Sequence, residues 1–162
     1  MALRITARLT LPIAFVLGII LTTAAPVAAN AGATEYQQVL QTAKSKIGAN
    51  WVHYARGPNV FDCVGFVWYA FKQNDLQSHI GGYRGVKSYY NWFKERGLAL
   101  GPNATPRLGD MLIWGKFKHV GIYIGDGKAI SALVQPYGVK IHPMKGYLNV
   151  NLKAILRTQL ES

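Results

Sequence analysis

The chain changes texture near Gly97, and no other feature limits its fold as much. Before that point apolar residues recur at helical spacing. After it come short runs rich in β-branched and aromatic residues, divided by Gly, Pro, Asn and Asp. In "TEYQQVLQTAKSKIG", Tyr36, Val39, Leu40, Ala43 and Ile47 form one apolar stripe, with Thr34 as N-cap and Gly48 as stop, so a helix is expected there. A loop, "ANWVHYARGPNV", runs into "FDCVGFVWYAFKQN", whose apolar density predicts a buried helix with Asp62 and Cys63 at its first turn. A third helix is expected over "GVKSYYNWFKERG". Beyond it, "GDMLIWG", "HVGIYIGDG", "KAISAL" and "GVKIHPM" read as a meander of antiparallel strands, to which "NLKAILRT" adds one more. Helices first and strands afterwards is the pattern of an α+β domain, with N-terminal helices packed on an antiparallel sheet.

The first 31 residues stand apart. Arg4 and Arg8 precede an apolar run from Leu9 to about Thr22, and small residues follow, the order of a secretory signal peptide with cleavage after Ala29 or Ala31. Pro12 and Gly18 interrupt the run, which argues against a membrane anchor. The mature domain would be residues 32–162, enough for one core. It would keep 16 basic residues against 7 acidic ones, a net charge of +9. Such an excess draws polyanions. For an exported protein in the periplasm, cell wall or medium these are envelope polymers and lipid head groups, not nucleic acid, so membrane association would be peripheral at most. With one cysteine, no internal disulfide is possible.

That cysteine, Cys63, is the candidate nucleophile. An oxidising compartment endangers a thiol without a task, and a helix N-terminus favours the thiolate. Asp62 beside it works the other way, so a basic partner is required. His119, where "WGKFKHVGIYIGDG" passes from a basic turn into a strand, is the candidate, and a thiolate–imidazolium pair is expected. Neither His53 nor His79 forms a metal-ligand spacing with the other histidines, so no metal site and no cofactor are expected. Gly125-Asp126-Gly127 is a hairpin turn and not a phosphate loop.

The blocks "FDCVGFVWYAF", "PRLGDMLIW" and "HVGIYIGDGKAISA", in that order, resemble the NlpC family of bacterial cell-wall cysteine endopeptidases, which have a compact papain-like fold. The resemblance implies Cys63 as nucleophile, His119 as general base and the stem peptides of peptidoglycan as substrate. It also exposes three departures. Trp51 stands where members commonly carry a tyrosine lining the site, and Val64 stands where a serine commonly helps bind the stem peptide. Ser131 occupies the position of a polar residue, often histidine, that orients the base. With Asp62 and with His53 in the preceding loop, Trp51 and Val64 complete the expected substrate-binding set.

His142 offers a substitute for the missing orienting histidine. If "KAISAL" and "GVKIHPM" are joined by a four-residue turn at Gln135-Pro136-Tyr137-Gly138, Ser131 pairs directly with His142, and His142 would reach across to His119 with the small Ser131 making room. The function expected is hydrolysis of stem-peptide bonds by a monomer without cofactor. The alternatives are a non-hydrolysing peptidoglycan-binding or regulatory module, or an amidase, acyltransferase or antibacterial toxin using the same Cys–His pair.

Overall fold

The computed structural model describes residues 32–147 and 149–161, so the expected signal peptide lies outside the described residues. Helix α1 spans Glu35–Lys44. The Gln37 side chain reaches back to accept from the Thr34 N–H at 2.9 Å, and Glu35 and Lys44 sit at the ends that suit their charges. Its buried residues are Val39, Leu40 and Ala43. Ile47, expected in the same stripe, is 51% exposed. The helix stops early because Gly48 and Ala49 turn away to exchange backbone hydrogen bonds with Val139.

The loop of the sequence reading contains two short strands, β1 (Asn50–Trp51) and β2 (Val60–Phe61), paired in parallel. Helix α2 (Cys63–Lys72) follows at once, with six of its ten residues buried between α1 and the main sheet. Fully burying a side chain such as Phe66 or Phe71 contributes about 1.5–3 kcal/mol, which makes α2 the centre of the larger core. A 3₁₀ turn at Gln77–Ile80 leads to α3 (Val86–Lys94), which buries Val86, Tyr89 and Phe93 at helical spacing.

The strands are β3 (Ala99–Leu100), β4 (Met111–Trp114), β5 (His119–Gly125), β6 (Lys128–Leu133), β7 (Gly138–Pro143) and β8 (Leu152–Leu156). Among the described residues they form one antiparallel sheet in the order β3-β8-β4-β5-β6-β7. The expected meander is β4 to β7, and β8 returns to pair with the free edge of β4. Asp126 and Gly127 both have positive φ, as a tight primed turn between β5 and β6 requires.

One face of the sheet carries Met111, Ile113, Val120, Ile122, Ile130 and Ala132 toward the helices. The other face holds a smaller core of Leu112, Trp114, Ala129, Leu152 and Ile155. Buried Asp110 ties β4 to the segment after β8. Its carboxylate accepts from Arg157 Nε at 3.0 Å and from the N–H groups of Arg107 and Thr158 at 2.8 and 3.2 Å. No helix among the described residues is long and apolar enough to cross a membrane.

The β6–β7 register corrects the expected hairpin. Leu133 pairs with Gly138, so the turn is Val134–Tyr137; Ser131 faces Lys140, and His142 faces Ala129. Gly138 is drawn into the strand because its neighbour Val139 is held at both backbone groups by Gly48 and Ala49. Moving the turn by one residue shifts the pairing by two, which preserves side-chain parity. His142 therefore stays on the face of Ser131, diagonal to it.

Candidate active site

Asp62 is the N-cap of α2, and it explains the local fold. One carboxylate oxygen accepts from the Gly65 N–H at 2.6 Å and the other from the Tyr54 N–H at 3.1 Å, while its own N–H donates to Ala55 O at 2.9 Å. The preceding loop is thus folded over the first turn of the helix. A Cβ on Gly65 would lie 2.0 Å from Ala55 O, so only glycine permits this approach.

Cys63, the first residue of α2, is partly exposed and its thiol is free. The backbone N–H groups of Val120, Val64 and Cys63 itself are directed at the sulfur. Their pull toward the thiolate is the smaller one. Burial first and the Asp62 carboxylate second push the thiol up to about 11 from an ordinary 9.0. Val120 is the residue after His119, and the two project to opposite faces of β5: Val120 belongs to the helix-side core, whereas the His119 ring lies 5.5 Å from the Trp114 ring on the other face.

On that second face three side chains join. His119 Nε2 lies 2.9 Å from Ser131 Oγ, Ser131 Oγ lies 2.7 Å from His142 Nε2, and His142 Nδ1 lies 2.9 Å from the carbonyl oxygen of Pro143. Ser131 and His142 are 0% and 2% exposed. A Cβ on Gly121 would come within 2.8 Å of the Ser131 Cβ, so that glycine lets β5 and β6 close up here. Burial, with a smaller contribution from His142, lowers the His119 pKa to about 3 from 6.5. Both shifts favour the neutral thiol and the neutral imidazole over the expected thiolate–imidazolium pair.

His119 also lines a cleft of about 450 Å³ together with Lys118, Leu133, Val134, Tyr137, Tyr147, Asn149 and Val150. Tyr147 stacks on the His142 ring at 5.2 Å, and the Lys140 ammonium lies 5.5 Å from the ring centres of both Tyr137 and Tyr147. Sequence reasoning missed this wall. It treated Pro136-Tyr137 only as turn chemistry, and the segment after Pro143 has no periodicity to mark it.

The sequence model of the NlpC/P60 family matches residues 48–157. The chain belongs to the NlpC/P60 family. The p60 protein of Listeria grayi, named as a probable endopeptidase, is 36% identical over 107 residues, 64% of this chain but 19% of that protein, so the chain spans about a fifth of that relative's length. The fold resembles NlpC2 of Trichomonas vaginalis with a TM-score of 0.65 and 25% identity, over 81% of this chain and 48% of the other. It also resembles the NlpC/p60 domain of the peptidoglycan hydrolase SagA, with a TM-score of 0.58 and 25% identity over 75% and 97% of the two chains.

Within this NlpC/P60 domain the expected substrate-binding residues divide. His53 is exposed and stacks between Trp51, at 5.9 Å, and Tyr54, at 3.8 Å, in the loop before Cys63; Trp51 O also accepts from the Gln135 side chain at 3.2 Å. Asp62 and Val64 are instead both 8% exposed, Asp62 with its oxygens occupied by backbone N–H groups and Val64 packed into the core. Among the described residues no cluster of His, Cys, Asp and Glu is arranged to hold a metal ion.

Proposed function

We propose that the chain is an exported cysteine hydrolase that cleaves peptide bonds in the stem peptides of peptidoglycan. The observation that carries this is the arrangement around β5: the Cys63 thiol meets the Val120 N–H, and the preceding residue, His119, has its Nε2 bonded to Ser131. Nδ1 is then the His119 nitrogen without a hydrogen-bond partner among the described residues. It would take the thiol proton as sulfur attacks a peptide carbonyl carbon. Because both groups rest neutral, proton transfer would accompany the attack instead of preceding it. The Cys63 N–H at the helix N-terminus would hold the developing oxyanion, protonated His119 would release the amine, and water would hydrolyse the thioester. The family and the names of its relatives support the substrate class, and the secretory character of residues 1–31 supports an envelope location.

A second reading has one observation in its favour. A thiol held up to about 11 is what a peptidoglycan-binding module that no longer hydrolyses would also have. Purified peptidoglycan incubated with the protein lacking residues 1–31 and with its Cys63→Ser variant separates the two, with released fragments identified by mass spectrometry. New peptide termini that form with the wild type and fall by on the order of 10³-fold or more in the variant are expected. Equal binding of both proteins to the wall without any new terminus would replace hydrolysis by the binding module.

A further inference from the structure

We propose that His142 is a positioning residue which, acting through the Ser131 hydroxyl, keeps the His119 proton on Nε2 and its lone pair on Nδ1. The inference rests on the reading of His119 as the base. It follows from donor and acceptor chemistry taken in order from the outer strand inward. The Pro143 carbonyl oxygen can only accept, so at 2.9 Å from it His142 Nδ1 carries a proton. A neutral imidazole protonated at Nδ1 presents a lone pair at Nε2. Ser131 Oγ, 2.7 Å away, has one proton and gives it to that lone pair. The serine oxygen is then an acceptor, and His119 Nε2, 2.9 Å away, must be the donor. A neutral His119 that donates from Nε2 is basic at Nδ1.

The chain of bonds has one alternative polarity. A cationic His142 would donate from Nε2, the Ser131 hydroxyl would turn to donate to His119 Nε2, and the His119 proton would move to Nδ1, filling the site a base needs. The surroundings oppose that state. His142 is buried between the Trp114 and Tyr147 rings, 5.6 and 5.2 Å away, and the titratable groups facing it are His119 from β5, Lys140 from its own strand and Tyr147 from the following segment. Burial holds its pKa below the ordinary histidine value; the Pro143 carbonyl opposes this and Lys140 reinforces it. Ser131 is thus an intermediate in the contact and not merely a small residue that makes room. His142 reaches it along the diagonal of the β6–β7 ladder.

The test is a long-range ¹H–¹⁵N correlation on the folded protein with ¹⁵N-labelled histidines near pH 7.5, paired with turnover of a peptidoglycan fragment. In the wild type, His142 should be protonated at Nδ1 and His119 at Nε2. In His142→Phe, Ser131 loses its acceptor; His119 should become a mixture of tautomers and kcat should fall at least about tenfold with little change in KM. His142→Gln restores an acceptor and should recover part of both. A wild-type His119 protonated at Nδ1 overturns the proposal, as does a His142→Phe protein with unchanged tautomer and kcat. The wild-type spectrum decides even where a variant fails to fold. Because tautomers are read without turnover, an inactive protein with the predicted tautomers would refute hydrolysis alone, and an active one with the opposite tautomer would refute the relay alone.

Discussion

Asp62 and Cys63 are adjacent, yet their side chains have unrelated tasks: the carboxylate is held by the backbone N–H groups of Tyr54 and Gly65, and the sulfur faces Val120. The acid still acts on the thiol through space, and burial acts more strongly. A stability profile follows. Between pH 6.5 and about 3 the unfolded chain binds a proton that folded His119 does not, so stability falls as pH falls through that window. Between pH 9.0 and about 11 the unfolded chain has lost a thiol proton that folded Cys63 retains, so stability also falls as pH rises. Each limb has a limiting slope of about 1.4 kcal/mol per pH unit. Urea unfolding midpoints across pH 4 to 10 should peak between the two windows. His119→Gln should flatten the acid limb, and an undiminished limb would deny His119 this role. That Cys63 opens a helix and His119 opens a strand was legible in the sequence, because both follow from local patterning. The burial that shifts both groups toward their neutral forms was not, since it is set by residues distant in the chain.

At the scale of elements, the start of α2 depends on a contact that spacing conceals. A glycine inside a helix ordinarily weakens it, and nothing within "FDCVGF" reveals that Ala55 O passes over position 65. Gly65→Ala would force the loop off the helix and loosen the Asp62 cap. A loss of about 1–3 kcal/mol is expected in urea unfolding, with faster alkylation of Cys63 as its first turn opens. An unchanged midpoint would mean that the loop has room to move. The hairpin shows a similar boundary of legibility. Alternation placed His142 on the correct face of β7, but the register depended on Val139 being held by Gly48 and Ala49, some ninety residues earlier. Strands of two residues, such as β1, β2 and β3, lack the length to display any period.

For the whole molecule, the order of helices before strands was enough to define an α+β domain, because each class of element must bury its apolar face against another. The return of β8 to β4 was not readable, since chain order does not dictate which edge a late strand joins. Charge is also a property at this scale. Lys118 lines the cleft, and Lys116 and Lys118 flank the groove that continues past Asn149 to Lys153. Cosedimentation with purified cell walls carrying anionic polymer should weaken as NaCl rises from 50 to 300 mM, because exposed charges separated by more than about 8–10 Å are screened near physiological ionic strength. Salt-independent retention would assign attachment to apolar contacts instead.

The opposite projection of His119 and Val120 has a consequence for how this fold can diverge. One strand position turns its ring to one side of the sheet and the next turns its side chain to the other while its backbone N–H serves the sulfur, so the start of β5 carries both contacts within two residues. Side chains along β5 can be exchanged, but a residue gained or lost between His119 and Ile122 would leave either the ring or the apolar residues after it on the wrong side of the sheet.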